Sequence, residues 1–277
     1  NNASSFNSDL SGWDVSSVDN MTYMFNNAPS FNGDISSWDV SSVTNMKHMF
    51  SYAHSFNGDI SSWDVSSVTT MDNMFSNVWG SECFNGDISS WDVSSVAIMR
   101  HMFDNNECFN GDLSGWDVSS VTDMRAMFYS AGSYTAQGLD GWDVSNVTEM
   151  DRMFIRNAGD ASADVFESDL SNWDVSSVTT MESMFYASVF NGDISSWDVS
   201  SVTNLKDMFR NASSFNSDIS SWDVSSVTNM QYMFWGASSF NSDLSGWDVS
   251  SVTNMQNMFN NASSFNSDLS GWDVSSV

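Results

Sequence analysis

Carboxylates are the side chains whose type and spacing most invite chemistry in this chain. One aspartate follows each recurring tryptophan: Asp14, Asp39, Asp64, Asp92, Asp117, Asp143, Asp174, Asp198, Asp223, Asp248 and Asp273. A second stands four residues before the tryptophan in ten of the units, from Asp9 and Asp34 to Asp243 and Asp268. Like charges stacked at one spacing repel, so something must offset them. Two readings stay open. Backbone N–H groups of tight turns satisfy aspartate readily, and Ca²⁺ takes oxygen ligands of this kind. A catalytic acid pair is a poor reading, because such a pair needs one special environment and these twenty-one aspartates are near-identical copies.

Three further groups stand out. Asp160, Ser162 and Asp164 alternate like the oxygen ligands of a calcium loop, although the glycine and glutamate that complete such a loop are missing. Cys83 and Cys108 both precede Phe-Asn and lie 25 residues apart, one repeat period. Stacked coils would bring their α-carbons to about 5 Å, within disulfide reach. Such a bond implies an oxidising compartment. Asn2, Asn20, Asn146, Asn211 and Asn261 head N-x-Ser/Thr sequons, candidates for glycan attachment if the host is eukaryotic and the protein secreted. His48, His54 and His101 have no recurring nucleophile as partner, so the sequence predicts no enzyme and no certain cofactor.

Charge narrows the partners. Seven basic residues face 35 acidic ones, for a net charge of −28. Phosphate backbones need clustered Lys and Arg, so nucleic acid is excluded, and no stretch is apolar enough for membrane insertion. Self-association with neighbouring copies, a glycan or another surface remain.

What positions these residues is a repeat. Trp-Asp-Val-Ser-Ser-Val begins at Trp13 and recurs to Trp272, with a variant at Trp142, at steps between 24 and 31 residues. A period near 25 suits one strand plus one short helix per coil of a solenoid. Leu10, Trp13 and Val15 follow the L-x-x-L-x-L spacing of a leucine-rich-repeat strand. Val18, Met21, Met24, Phe25 and Ala28 fall on one face of a helix. Thr44 and its equivalents stand at the N-cap position, and Asp72, Asp151, Glu182, Gln231 and Gln256 three residues later complete capping boxes. Met and Trp columns read as core, and the Asn column from Asn7 to Asn266 as a stacked amide ladder. The expected fold is therefore a leucine-rich-repeat-like solenoid of about eleven coils, one short parallel strand and one short helix in each, with residues 1–277 as one continuous unit. Longer, irregular coils are expected around 76–83 and 129–168. Residues 1–18 recur identically as 260–277, so the chain reads as an excerpt of a longer array.

The unit Phe56-Asn57-Gly58-Asp59-Ile60-Ser61-Ser62-Trp63-Asp64-Val65-Ser66-Ser67-Val68-Thr69, followed by Met71 and Met74-Phe75, resembles the bacterial surface protein 26-residue repeat of the BspA-like leucine-rich-repeat family. That resemblance implies an extracellular or cell-surface place and a structural or adhesive role without catalytic residues. A filament-forming building block is the leading expectation. The alternative is a ligand-binding solenoid that presents its regular Ser/Asp strand face to a glycan, a calcium-dependent surface or ice.

Overall fold

A computed structural model of the protein describes residues 2–78, 82–156 and 165–277. Its coils stack in register. Nine isolated parallel bridges run in unbroken series from Asn20↔Asn45 to Asn229↔Asn254, one per coil.

The strand and helix expected in each coil do not form. Among the described residues there is no helix, and strand pairing is confined to those single bridges. The chain is a repeat protein of irregular, turn-built coils, and the strand-plus-helix solenoid of leucine-rich repeats is not its fold. In the first half of the unit the backbone closes two tight turns. The Trp13 N–H donates to the Leu10 carbonyl at 3.0 Å and the Val18 N–H to the Val15 carbonyl at 2.9 Å. Aspartate followed two residues later by serine favours this closure, because the carboxylate captures the serine N–H.

The second half alternates between two kinds of bond. The amides of Met24, Asn26 and Ala28 donate three residues back, to Met21, Tyr23 and Phe25. Those of Met21, Tyr23, Phe25 and Asn27 leave the coil and donate to Asn45, Lys47, Met49 and Ser51 at 2.8–3.0 Å. An α-helix would return every N–H to its own segment. Left-handed residues rule it out as well. Tyr23, His48, Asn73, His101, Ala126, Arg152, Ser183, Asp207, Tyr232 and Asn257 form a column with φ between 51° and 59°. A non-glycine residue in that region costs about 1–2 kcal/mol, and the coil-to-coil bonds offset the cost. Three-residue turns return side chains to one face nearly as a helix does, which is why the spacing of Val18, Met21, Met24 and Phe25 imitates one.

The threonines taken as N-caps have a different task. Thr44 donates both its N–H and its hydroxyl to the carbonyl of Asp19 in the preceding coil, at 2.8 and 3.1 Å. The same hydroxyl contact recurs from Thr69 to Thr253.

The core lies inside the stack and is built of continuous columns. Phe25 and Phe31 stack within one coil with centroids 3.9 Å apart, and each stacks on its equivalent in the next coil, Phe50 at 5.5 Å and Phe56 at 5.8 Å. From Met46 to Met233 the methionine columns are buried, with Leu205 in the one position that departs from Met. Outside the core the amide ladder runs from Asn7 to Thr135: each Asn Oδ1 accepts the backbone N–H of its equivalent one coil on. It resumes from Asn191 to Asn266. In the coil of Trp142 the place of the aspartate four residues before the tryptophan is taken by Gly138 at φ 81°, and a β-carbon there would lie 2.7 Å from the Ser114 backbone nitrogen.

Candidate functional site

The two aspartate columns are consumed by local turns. In every copy, the N–H of the serine two residues on donates to the aspartate Oδ1, at 2.9–3.0 Å in the column before the tryptophan and 3.0–3.1 Å in the column after it. Asp14, Asp39, Asp64, Asp92, Asp117, Asp143, Asp174, Asp198, Asp223, Asp248 and Asp273 all stand exposed at one edge. The serine hydroxyl, and then the serine N–H, hold the carboxyls of Asp14, Asp92, Asp117, Asp174 and Asp248 below the usual carboxylate range. For Asp39, Asp198 and Asp273 the same bonds outweigh repulsion from the aspartate of the coil before. Among the described residues no group of three or more His, Cys, Asp or Glu side chains is arranged to hold a metal ion. Asp160, Ser162 and Asp164 lie outside the described residues.

Cys83 and Cys108 are joined by a disulfide, with α-carbons 5.6 Å apart. It ties the lengthened coil after Asn77 to its neighbour. Asn77 itself is buried there and donates to the Glu82 carbonyl at 2.7 Å. Of the sequon asparagines, Asn2, Asn20, Asn146 and Asn261 are exposed and Asn211 is half-buried. Three already use their amides within the fold. Asn20 accepts the Thr22 N–H, Asn146 donates to the Ser119 carbonyl, and Asn2 accepts from the Asn27 amide.

A second region emerges on the turn segment, where the columns are not constant. All seven Lys and Arg residues lie one to six positions after the first methionine of this segment, or after Leu205 which replaces it. Four of them, Lys47, Arg100, Arg125 and Arg152, line a surface trough of about 460 Å³ that crosses several coils. Asp72, taken from its spacing as part of a capping box, is a wall of this trough. Its carboxylate, 2% exposed, takes Lys47 Nζ at 2.8 Å and Arg100 Nη2 at 2.9 Å. Burial alone would push that carboxyl up, but the bonds from Arg100, Lys47 and Asn73 outweigh it and hold it at about 2. At the other end burial pushes Asp151 up, and bonds from Thr180 and the Glu182 N–H offset this only in part. Burial, reinforced by Asp151, also raises Glu149. Lys206 holds Glu182 down against its burial. The trough thus grades from a cationic end at Lys47–Arg125 to an acidic end at Asp151–Glu182.

Among the described residues no imidazole is bonded to a hydroxyl or thiol. His101 Nδ1 bonds Asp104 at 2.7 Å, His54 Nδ1 bonds Asn77, and the His48 ring stacks on Tyr23 at 4.6 Å. Sequence reasoning read this segment as a helix with Met and Phe on its core face and so missed the trough. The available signal was the confinement of every basic residue to one short segment of the unit.

Coil after coil of one sequence unit, stacked through the same bonds, defines a tandem-repeat protein. The chain belongs to the family described as Mycoplasma protein of unknown function, DUF285, which matches residues 1–83, 78–164, 122–211 and 156–272. No curated protein matches it. Among solved structures, similarity extends to the TLR13–ssRNA13 complex, at 8% identity over 86% of this chain and 49% of that one, with a TM-score of 0.13. It extends also to an internalin, InlF of Listeria monocytogenes, at 8% identity over 90% and 81%, with a TM-score of 0.15. The chain spans about half the length of the TLR13 chain. At these scores neither likeness bears on fold or function.

Proposed function

We propose that this chain is a non-enzymatic structural or adhesive repeat module of an extracellular or cell-surface protein, and a building block of extended assemblies. The observation that carries the reading is where the recurring residues go. Phe and Trp rings, Asn amides and Thr hydroxyls are spent on joining one coil to the next, and the recurring aspartates on closing each coil's turns. A recurring residue with a structural partner in each coil is the mark of a column that must be long and stiff. The Cys83–Cys108 disulfide agrees with an oxidising place outside the cytosol. The likeness of the Phe56–Phe75 unit to bacterial surface repeats of the BspA-like branch points the same way.

Electron cryomicroscopy of the protein in its source material is the test. Continuous fibres or a surface layer, with a rise of about 5 Å per coil, are the expected result. Isolated short columns free in solution or inside cells would count against the proposal.

A further inference from the structure

The trough lies on the one face where coils differ, and that difference has a physical cost. Left-handed backbone favours Gly and Asn, yet the column holds His48, His101, Ala126, Arg152 and two tyrosines at φ between 51° and 59°. Ala126, with φ 51°, is the shortest side chain of the column and stands between His101 and Arg152. Ala126 is itself buried, 1% exposed, and forms part of the trough lining.

From its walls we infer that the trough is a binding site for an acidic saccharide, a pyranose unit bearing a single carboxylate. Several observations select this chemistry. Guanidinium groups pair with carboxylates through two parallel N–H bonds, and two of the arginines here keep donors in reserve. Among the described residues Arg100 gives only Nη2, to Asp72, and Arg152 makes only a 3.5 Å contact with Glu182. Asp72, Asp151 and Glu182 stand beside them and would repel a phosphate or a polyanion more strongly than a single charge. The carboxylates of Asp151 and Glu182, less buried than Asp72, accept hydroxyl groups, as a sugar ring requires. A volume of about 460 Å³ fits a mono- or disaccharide. The net charge of −28 makes this the face on which an anion meets the least opposition. The inference does not depend on the structural role proposed above, since a chain that formed no assemblies would still carry the trough.

Isothermal titration calorimetry of the full chain with a glucuronate-containing disaccharide tests it, with the neutral glucose disaccharide and an N-acetylated Glu-Glu dipeptide as comparisons. Saturable binding of the uronate is expected, with both comparisons weaker by about tenfold or more, because the neutral sugar lacks the charge-assisted hydrogen bond and the dipeptide brings three negative charges beside Asp72, Asp151 and Glu182. Ala126→Tyr should fill the trough and weaken uronate binding by a similar factor. Its fold should survive, because Tyr23 and Tyr232 occupy the same column at φ 59° and 57°. Arg152→Gln, at an exposed side chain, should narrow the preference for uronate over the neutral sugar without lowering the unfolding midpoint. Uronate binding that is absent, no tighter than that of the neutral sugar or the dipeptide, or indifferent to both substitutions would overturn the inference.

Discussion

The indole N–H of Trp116 donates to the carbonyl of Ile88 in the coil before, at 3.0 Å, and that carbonyl also accepts the backbone N–H of Trp91 at 3.2 Å. The same contact recurs from Trp38 to Trp272. The residue must therefore be Trp and not merely a large aromatic, since Phe would fill much of the space but leave the bond unmade. Trp116→Phe should cost about 1 kcal/mol from the hydrogen bond, with a further contribution from lost ring area, because the carbonyl keeps one donor. Trp116→Ala should cost about 3–5 kcal/mol. Urea unfolding of the two variants checks the split, and a Trp116→Phe variant as stable as the parent would show that the indole N–H contributes nothing.

At the scale of the element, the sequence shows the column of coils and hides the conformation of each coil. The 25-residue period, the aromatic and methionine core, the Asn7–Asn266 ladder and the placing of Cys83 opposite Cys108 are all readable as spacing. The reason is that stacking brings equivalent residues together whatever the backbone does in between. The inside of the coil is different. Val18, Met21, Met24 and Phe25 recur on one face both in a helix and in successive three-residue turns, so periodicity cannot separate the two. Leu10, Trp13 and Val15 likewise bury one face in a strand or across two turns. The deciding terms are the coil-to-coil bonds of Met21, Tyr23, Phe25 and Asn27 and the left-handed residues beside them, and both are set by neighbouring coils. One local clue was present. Asp-x-Ser recurs twice in most units, and such pairs close turns more readily than they extend. The trough was legible only in part: the basic residues share one segment, but their meeting across coils needs the stack.

At the scale of the whole molecule, charge is sorted. Twenty-one aspartates occupy turn edges without a single Lys or Arg, while all the basic residues share the turn segment. Stability should follow acid titration with a defined sign. Carboxyls such as Asp14, Asp87 and Asp268 are held below their ordinary range in the folded chain. Their contribution is present above the unfolded value near 3.8 and is lost as pH falls through the folded values. Asp72, held at about 2, contributes about 2 kcal/mol in this way. Glu149 and Asp151 are raised and act in the opposite sense, adding stability below their unfolded values and losing it as pH rises through the folded ones. The lowered groups are far more numerous, so the unfolding midpoint should drop steeply below about pH 4. A midpoint that holds level from neutral pH to pH 2 would contradict the assignment of the aspartates to turns.

The conformation of the turn segment underlies both the column and the trough, and Ala126 tests it most directly. Urea unfolding of Ala126→Gly should show a gain of about 1 kcal/mol, because glycine relieves the left-handed strain at φ 51°. In a helix the same substitution would cost about 1 kcal/mol. A loss of that size would contradict the turn-built coil and, with it, the face on which the trough is formed.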